Sequence, residues 1–350
     1  MILDKNSKIT LSVERACNDL RKGFPVLIDE NLLVASPETI SEEILERIGN
    51  AKLFIAENRA KYILGNNDAK TCTIDISSKS TSDIAKLSGL EDAEKGFFKG
   101  DISPASNAHE SALQLVKIAE LIPSAIIIEG YSDLEDLLSV SSEDIAKYPE
   151  ICSNELIEAC RTQLALKHSI NSEIIAYRPK IGGKEHYAIA IGDKLPNEPL
   201  VRIHSSCYTG DLLDSLACDC HDQLHFAIDL MNEQGGGIIL YMLQEGRGIG
   251  LINKLRAYTL KEQGMDTVDA NESLGFDDDE RLFEPAAKIL ENLGIKSVKL
   301  LTNNPRKAKG LEECGIKVTE CVPHIMEANI HNEKYLKTKS ERLGHKMGEQ

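Results

Sequence analysis

Three cysteines stand close together in the second half of the chain, Cys207, Cys218 and Cys220, in the pattern C-x10-C-x-C. Three thiolates can ligate one Zn²⁺ and leave its fourth position open, the arrangement of a catalytic zinc rather than a closed structural one. Such a zinc lowers the pKa of bound water and makes a nucleophile available near neutral pH. Spacing alone also admits three buried or free thiols, because C-x-C is common and no fourth ligand is visible.

The elements that follow would place an anion near those cysteines. Gly235-Gly236-Gly237 leads into the apolar run 238–243, which predicts a buried strand. Gln244-Glu245-Gly246-Arg247-Gly248-Ile249-Gly250 then reads as a glycine-rich loop, and 253–258 opens a helical pattern. Strand, glycine-rich loop and helix together present backbone N–H groups to an anion. Arg247, Lys254 and Arg256 make phosphate the expected anion. A second unit of this kind has a strand at 297–301, a turn at Thr302-Asn303-Asn304, and Pro305 at the first helical position. Gly315 ends its helix. Arg306, Lys307 and Lys309 lie on the first turn, where cations do not help the helix dipole. A bound anion would account for them, as would a solvated basic face.

These residues carry a resemblance. The run 201–347 resembles GTP cyclohydrolase II, which opens riboflavin synthesis. The matching motifs are Arg202-Ile203-His204-Ser205, Cys207-x-Thr209-Gly210-Asp211, Cys218-Asp219-Cys220 and Gln244-Glu245-Gly246-Arg247. Asn253-Lys254-x-Arg256-Ala257-Tyr258, Asp266-Thr267-Val268, Leu274-Gly275-Phe276, Asp279-Glu280-Arg281 and Leu301-Thr302-Asn303-Asn304-Pro305 continue in order. Asn332-Glu333-x-Tyr335-Leu336, Lys339 and Gly344-His345 complete the series.

The resemblance implies roles. Cys207, Cys218 and Cys220 would hold the zinc. Arg202, Ile203, His204, Ser205, Ser206, Gln223, Glu245, Gly246, Arg247, Thr267, Thr302 and Lys307 fall where the family contacts GTP. Asp279 matches the proton acceptor, Arg281 the residue proposed to attack the α-phosphate, and Tyr258 an active-site tyrosine. Mg²⁺ would accompany the triphosphate, and the enzyme would be a homodimer. An arginine is a poor nucleophile, so a purely electrostatic role for Arg281 stays open beside the covalent one. Without the resemblance, Asp279 reads as a solvated charge in the run 277–280. Two positions depart from the pattern: Ser206 replaces a usual glutamate, and His221 a usual glycine that follows the cysteines. His221 as a fourth ligand would close the metal.

The first half reads differently. A helix ending at Gly23, a strand at 24–28, a helix at 110–119 and a strand at 124–129 are expected. Their order resembles 3,4-dihydroxy-2-butanone 4-phosphate synthase, a frequent fusion partner of the cyclohydrolase. That family's acidic loop is replaced by Asp29-Glu30-Asn31-Leu32-Leu33-Val34-Ala35. Its metal-binding histidine falls at Ala108, with His109 one place late, a rotation of about 100° on a helix. Residues 1–150 are therefore expected to be an inactive, degenerate relative, and 151–347 the cyclohydrolase. The fold class is α/β (α+β), two domains that are each a mixed sheet packed with helices. Between them, 154–159 reads as helical, while 174–178 and 185–190 read as strands that open the second domain.

Composition sets limits. A chain of 350 residues has room for two or three domains. A net charge of −16 argues against nonspecific binding to nucleic acid or membrane surfaces. No apolar run approaches the roughly 20 residues of a membrane span, and the first residues begin no signal peptide. Nine cysteines, an odd number, point to reduced thiols in the cytoplasm. The alternatives from other classes are a nucleotide-binding regulator that keeps zinc for structure, and a bifunctional enzyme whose first half still acts. The tail 346–350 is expected to be disordered.

Overall fold

Short β-branched and apolar runs between turns build two seven-stranded sheets. The computed structural model describes residues 3–131, 136–167, 169, 171–192, 195–324 and 342. The expected matches at Asn332, Glu333, Tyr335, Leu336, Lys339, Gly344 and His345, and the tail, lie outside the described residues. The chain divides into two compact units, Met1–Pro149 with Ile249–Glu280, and Glu150–Gly248 with Arg281–Gln350. Compactness thus interrupts the stretch 151–347, expected as one domain, at Ile249–Glu280.

In the first unit the strands are β1 (Val26–Ile28), β2 (Leu32–Ala35), β3 (Lys52–Ile55), β4 (Cys72–Asp75), β5 (Ser103–Pro104), β6 (Ser124–Glu129) and β7 (Ser139–Val140). Their order is β5-β4-β3-β6-β2-β1-β7, and every neighbouring pair is antiparallel except β1 with β7. Leu53, Ile55, Ile74 and Ile126 form its core with Ala60, Ile63, Ile84 and Leu87 from helices. The segment Ile249–Glu280 adds the helices Leu251–Glu262 and Thr267–Leu274. Their apolar faces bury Ala257, Leu260, Ala270 and Leu274 with Ile122 and Phe276.

In the second unit the strands are β8 (Leu156–Gln163), β9 (Ser172–Pro179), β10 (His186–Ile191), β11 (Leu200–Ser205), β12 (Gly237–Met242), β13 (Ser297–Leu301) and β14 (Lys317–Val322). The order is β14-β13-β11-β12-β10-β9-β8. From β8 through β9 and β10 to β12 the neighbours are antiparallel, and from β12 through β11 and β13 to β14 they are parallel. Both sheets are mixed and helix-packed, as the sequence leads one to expect. The helix Cys220–Glu233 places Ala227, Ile228 and Met231 against Leu200, Ile239 and Leu301. On a separate core, the helix Glu284–Asn292 meets Ile203, Leu240, Val298 and Leu300. With helices against both faces, β11 and β12 are buried nearly throughout, and β12 is a continuous apolar run as parallel strands often are, whereas β11 carries Arg202 and His204.

One local expectation fails. Of residues 154–159 only Asn154 is helical: the helix Ser142–Asn154 stops there and β8 begins at Leu156. Pairing with β9 along the whole strand outweighs a local helical preference, which is worth only tenths of a kcal/mol per residue.

Candidate active site

Three adjacent parallel strands, β13, β11 and β12, end at the same edge of the second sheet. In open sheets of this type ligands bind where the carboxyl ends of such strands meet. The loops there start with Ser206 and Cys207 after β11, Leu243 to Arg247 after β12, and Thr302 to Asn304 after β13. Of the sequence-predicted residues of the second unit, Ser206, Cys207, Glu245, Gly246, Arg247 and Thr302 stand on these loops, Arg202 to Ser205 on the strand before the first, and Gln223 and Lys307 on the helices Cys220–Glu233 and Pro305–Glu313.

Cys207 opens a tight turn, Tyr208–Leu212, and Cys220 begins the helix Cys220–Glu233. The ligand atoms of Cys207, Cys218 and Cys220 lie within 4.8 Å of one another, and Cys207 Sγ is 3.7 Å from Cys218 Sγ. Among the described residues no other His, Cys, Asp or Glu joins that group, and His221 stands outside it. Its ring instead lies 4.3 Å from that of His225, and its Nδ1 is 3.8 Å from Asp214. Gly210 explains how the thiols come so close. A Cβ there would sit 2.8 Å from Cys218 Sγ and 3.0 Å from Cys207 Sγ. Its N–H donates to Cys207 Sγ at 3.3 Å. Bonding to Cys207 pushes the Cys218 thiol up, and bonding to Cys207 and Cys218 with burial pushes Cys220 higher still. Three thiols this close resist ionising together, and a bound cation would reverse that preference. The donor set fits zinc with one position left over.

Alternation along β11 puts Arg202 and His204 on one face while Val201 and Ile203 join the core. Ile203 can therefore face a ligand only through its backbone, and its carbonyl accepts from Lys307 Nζ at 2.6 Å. Arg202 is buried, and burial lowers its pKa to about 10, still well above neutral. It donates to His204 Nδ1 at 3.2 Å, to Gln223 Oε1 at 2.6 Å and to His324 Nδ1. Gln223 in turn donates to Asp219 at 2.6 Å.

A guanidinium only donates, so Nδ1 of His204 carries the lone pair and Nε2 the proton. Nε2–H then donates to Asp211 at 3.0 Å. Burial, with Arg202 nearby, lowers the His204 pKa to about 4 despite that carboxylate, so the ring is neutral. Asp211 also accepts from the Cys207 N–H at 2.9 Å and from the Tyr241 hydroxyl at 2.8 Å. Burial pushes its carboxyl up, but these bonds outweigh burial and hold it below its ordinary value. Tyr241, half-buried and bonded to Asp211, is pushed the other way. A chain of bonds thus runs from Arg202 through His204 and Asp211 to the backbone of Cys207.

The loop after β12 is tied to this turn, because the Tyr208 N–H donates to Glu245 Oε2 at 2.7 Å. Within it, Gly246 (φ 61°) and Arg247 (φ 64°) are both left-handed. A non-glycine residue there costs on the order of 1 kcal/mol, and such strain clusters at functional sites. Arg281 Nη1 donates to Ser205 Oγ at 3.3 Å. The Ser206 N–H donates to the Met242 carbonyl at 2.8 Å. Thr302 Oγ1 accepts from the Asn304 N–H at 3.0 Å, and Asn304 caps the helix Pro305–Glu313, which carries Lys307.

Three predicted residues belong to the first unit. Tyr258 lies on the helix Leu251–Glu262 between Lys254 and Lys261, whose Nζ atoms are 5.7 and 5.1 Å from its ring. Thr267 opens the helix Thr267–Leu274, and Asp279 follows that helix. Sequence reasoning gave no role to Asp211, Tyr241 or His324. Asp211 stood within a quoted motif, whereas His324 reaches Arg202 from 122 residues away and left no local signal.

Over 158–323 the chain matches the family model of GTP cyclohydrolase II. GTP cyclohydrolase-2 of Azospirillum brasilense is 39% identical over 370 residues, which cover 98% of this chain and 96% of that protein. The riboflavin biosynthesis protein RibBA of Bacillus mycoides (strain KBAB4) is 34% identical, covering 95% of this chain and 98% of its own length. RibBA of Bacillus subtilis (strain 168) is 54% identical over 49% of this chain and 44% of its own length. A solved two-domain 3,4-dihydroxy-2-butanone 4-phosphate synthase from A. baumannii aligns at 17% identity with a TM-score of 0.32, too weak a likeness to weigh. With 39% identity sustained along nearly all of both chains, this chain belongs to the GTP cyclohydrolase II family.

Proposed function

We propose that this protein is a zinc-dependent GTP cyclohydrolase II. It converts GTP and water to 2,5-diamino-6-(5-phosphoribosylamino)-4(3H)-pyrimidinone, formate and pyrophosphate, the first step of riboflavin biosynthesis. The observation that carries this reading is the cysteine triad at the carboxyl edge of the parallel strands, three thiols within 4.8 Å beside a buried Arg202. Bound there with one position open, zinc would supply an activated water for C8 of the purine.

The chain's own residues do the rest. Asp211 and His204 fix the backbone of Cys207 and so the shape of the triad. Arg202, Ser205, Ser206, Gln223, Glu245, Gly246 and Thr302 contact the nucleotide, and for Thr267 that role rests on the family motif alone. Arg247, Lys307 and Arg281, with Mg²⁺ on the phosphates, stabilise the charge that develops as pyrophosphate leaves. Arg281 acts electrostatically in this reading, since an arginine is a poor nucleophile. Asp279 accepts a proton and Tyr258 serves the active site, roles that rest on the family motifs alone.

The same reading makes the enzyme a cytoplasmic homodimer. None of its nine cysteines is joined in a disulfide among the described residues. Among the described residues no helix is long and apolar enough to cross a membrane. Residues 1–150 are read as a degenerate synthase-like domain without its own chemistry. His109 supports this: its Nδ1 accepts the Ser106 N–H at 3.1 Å, and its Nε2 bonds Glu129 at 3.1 Å.

Purified protein incubated with GTP and Mg²⁺ tests the proposal. Formate and pyrophosphate should be released together. A zinc chelator, or Cys218→Ser, should lower both at least about 1000-fold, with zinc content falling in parallel. Zinc confirmed in place with GTP bound but unchanged would overturn it.

A further inference from the structure

Asp277, Asp278, Asp279 and Glu280 put four like charges in a row, and such a run repels itself. In the first unit this turn is held from two sides. Lys117, on the helix Asn107–Ile118, donates through Nζ to Glu280 Oε1 at 2.7 Å and to Asp277 Oδ2 at 3.4 Å. The Asp277 N–H donates to the same Glu280 oxygen at 3.0 Å. On the other side Asn58, on the helix Glu57–Leu64, donates through Nδ2 to the Phe276 carbonyl at 2.9 Å and to Asp277 Oδ1 at 3.1 Å.

The chain leading into the turn is pinned as well. Gly275 (φ +96°) closes the helix Thr267–Leu274, and a Cβ there would meet Pro123 at 3.0 Å and Arg59 at 3.2 Å. Arg59, next to Asn58 and buried, gives its guanidinium to the carbonyls of Leu87, Lys86 and Ser273. The side chains of Lys117 and Glu280 are only 24% and 19% exposed. Their pair is therefore less screened than an ordinary surface ion pair.

We propose that Asn58 and Lys117 are positioning residues for the cyclohydrolase reaction. They hold 276–280 in one conformation and thereby hold the Asp279 carboxylate in place. The proposal rests on the reading of Asp279 as proton acceptor. A group that moves a proton must lie within hydrogen-bond reach of the atom it serves. Displacing it by about 1 Å can cost about 100-fold in rate. Neither Asn58 nor Lys117 touches the reacting atoms in this account. Both residues come from 1–150, so this half keeps a part in the chemistry although its own synthase-like site is read as lost.

The test compares Lys117→Met, Lys117→Arg and Asn58→Ala in the full-length zinc-loaded protein. Steady-state GTP turnover is read beside hydrogen exchange of the peptide spanning 276–281. In Lys117→Met and Asn58→Ala, kcat should fall about tenfold or more while KM changes by less than about twofold. Lys117→Arg should recover most of the loss, and the turn should exchange faster while the melting temperature holds. Unchanged kcat in both variants, equal behaviour of Met and Arg at 117, or unchanged exchange would each overturn the proposal. A wild-type protein that leaves GTP intact would instead sink the cyclohydrolase reading, and the exchange data would still decide whether the tether exists.

Discussion

Each unit is built on a seven-stranded sheet, yet the two treat their polar residues differently. In the second sheet β13, β11 and β12 run parallel, so their loops leave from one edge and deliver Cys207, Glu245, Arg247 and Thr302 together. In the first, all neighbours but one pair are antiparallel, and successive loops leave from opposite edges. The contrast shows most clearly in two buried histidines, each bonded to a carboxylate. His204 bonds Asp211 at 3.0 Å, and Asp211 passes the constraint on to Cys207. His109 bonds Glu129 at 3.1 Å, and its other nitrogen closes the end of a helix. The residue type is the same; the second partner decides whether it serves a site or a fold.

If that contrast holds, Asp211→Asn should give the largest effect of any change outside the cysteine triad. The side chain keeps its size but loses the charge and one of the acceptors shared by His204, Tyr241 and the Cys207 N–H. Turnover of GTP at saturating zinc should fall about 10- to 100-fold, as is usual when a residue that orients a metal ligand is changed. Melting temperature should move little. Turnover within a factor of about two of wild type would break the comparison, because the bond chain to Cys207 would then carry nothing.

His186 offers an intermediate case, a buried histidine of the second sheet with no part in the proposed site. Its Nδ1 accepts the Leu243 N–H at 3.1 Å, so protonation would set one N–H against another. Burial, helped by Lys184, lowers its pKa to about 4. The unfolded chain takes up the proton near pH 6.5 and the folded one only near 4. Between those values the unfolded state binds more protons, so stability is present above pH 6.5 and is lost as pH falls toward 4. At pH 5 this loss is about 2 kcal/mol. His186→Asn, which can place an oxygen where Nδ1 was, should remove that part of the acid limb in melting curves taken from pH 7 to pH 5. An unchanged acid limb would show that other groups set it.

Much of this contrast was legible in the sequence. The strand at 297–301 was readable residue for residue, because turn-forming residues bound a short apolar run. The cysteine triad was visible from spacing, and Arg202 and His204 from their motif. Three things were not. The first residues of the strand Leu156–Gln163, up to Ala159, read locally as a helix, and only the partner strand β9 decides otherwise. The segment Ile249–Glu280 joins the first unit through Ile122, Asn58 and Lys117, partners more than 100 residues away. The exclusion of the Ile203 side chain from the site follows from the sheet's two faces, which a motif match does not see.

The smallest effect should come from His109→Ala, and it sharpens the contrast most directly. The substitution removes the acceptor of the Ser106 N–H and so part of the N-terminal cap of the helix Asn107–Ile118. Loss of a cap costs on the order of 1 kcal/mol. The ring also packs at 5.5 Å against Phe54, so some buried contact is lost with it. If His109 serves only the fold, melting temperature should drop by a few degrees, while GTP turnover at 25 °C stays within about twofold. Neither wild type nor variant should consume ribulose 5-phosphate, the assay substrate for the synthase that residues 1–150 resemble. Wild-type consumption abolished by the substitution would mean that the first sheet keeps a working site, and the division of labour between the two sheets would have to be redrawn. A fall in GTP turnover without a fall in stability would say that His109, like Lys117 on the same helix, steadies the turn that carries Asp279.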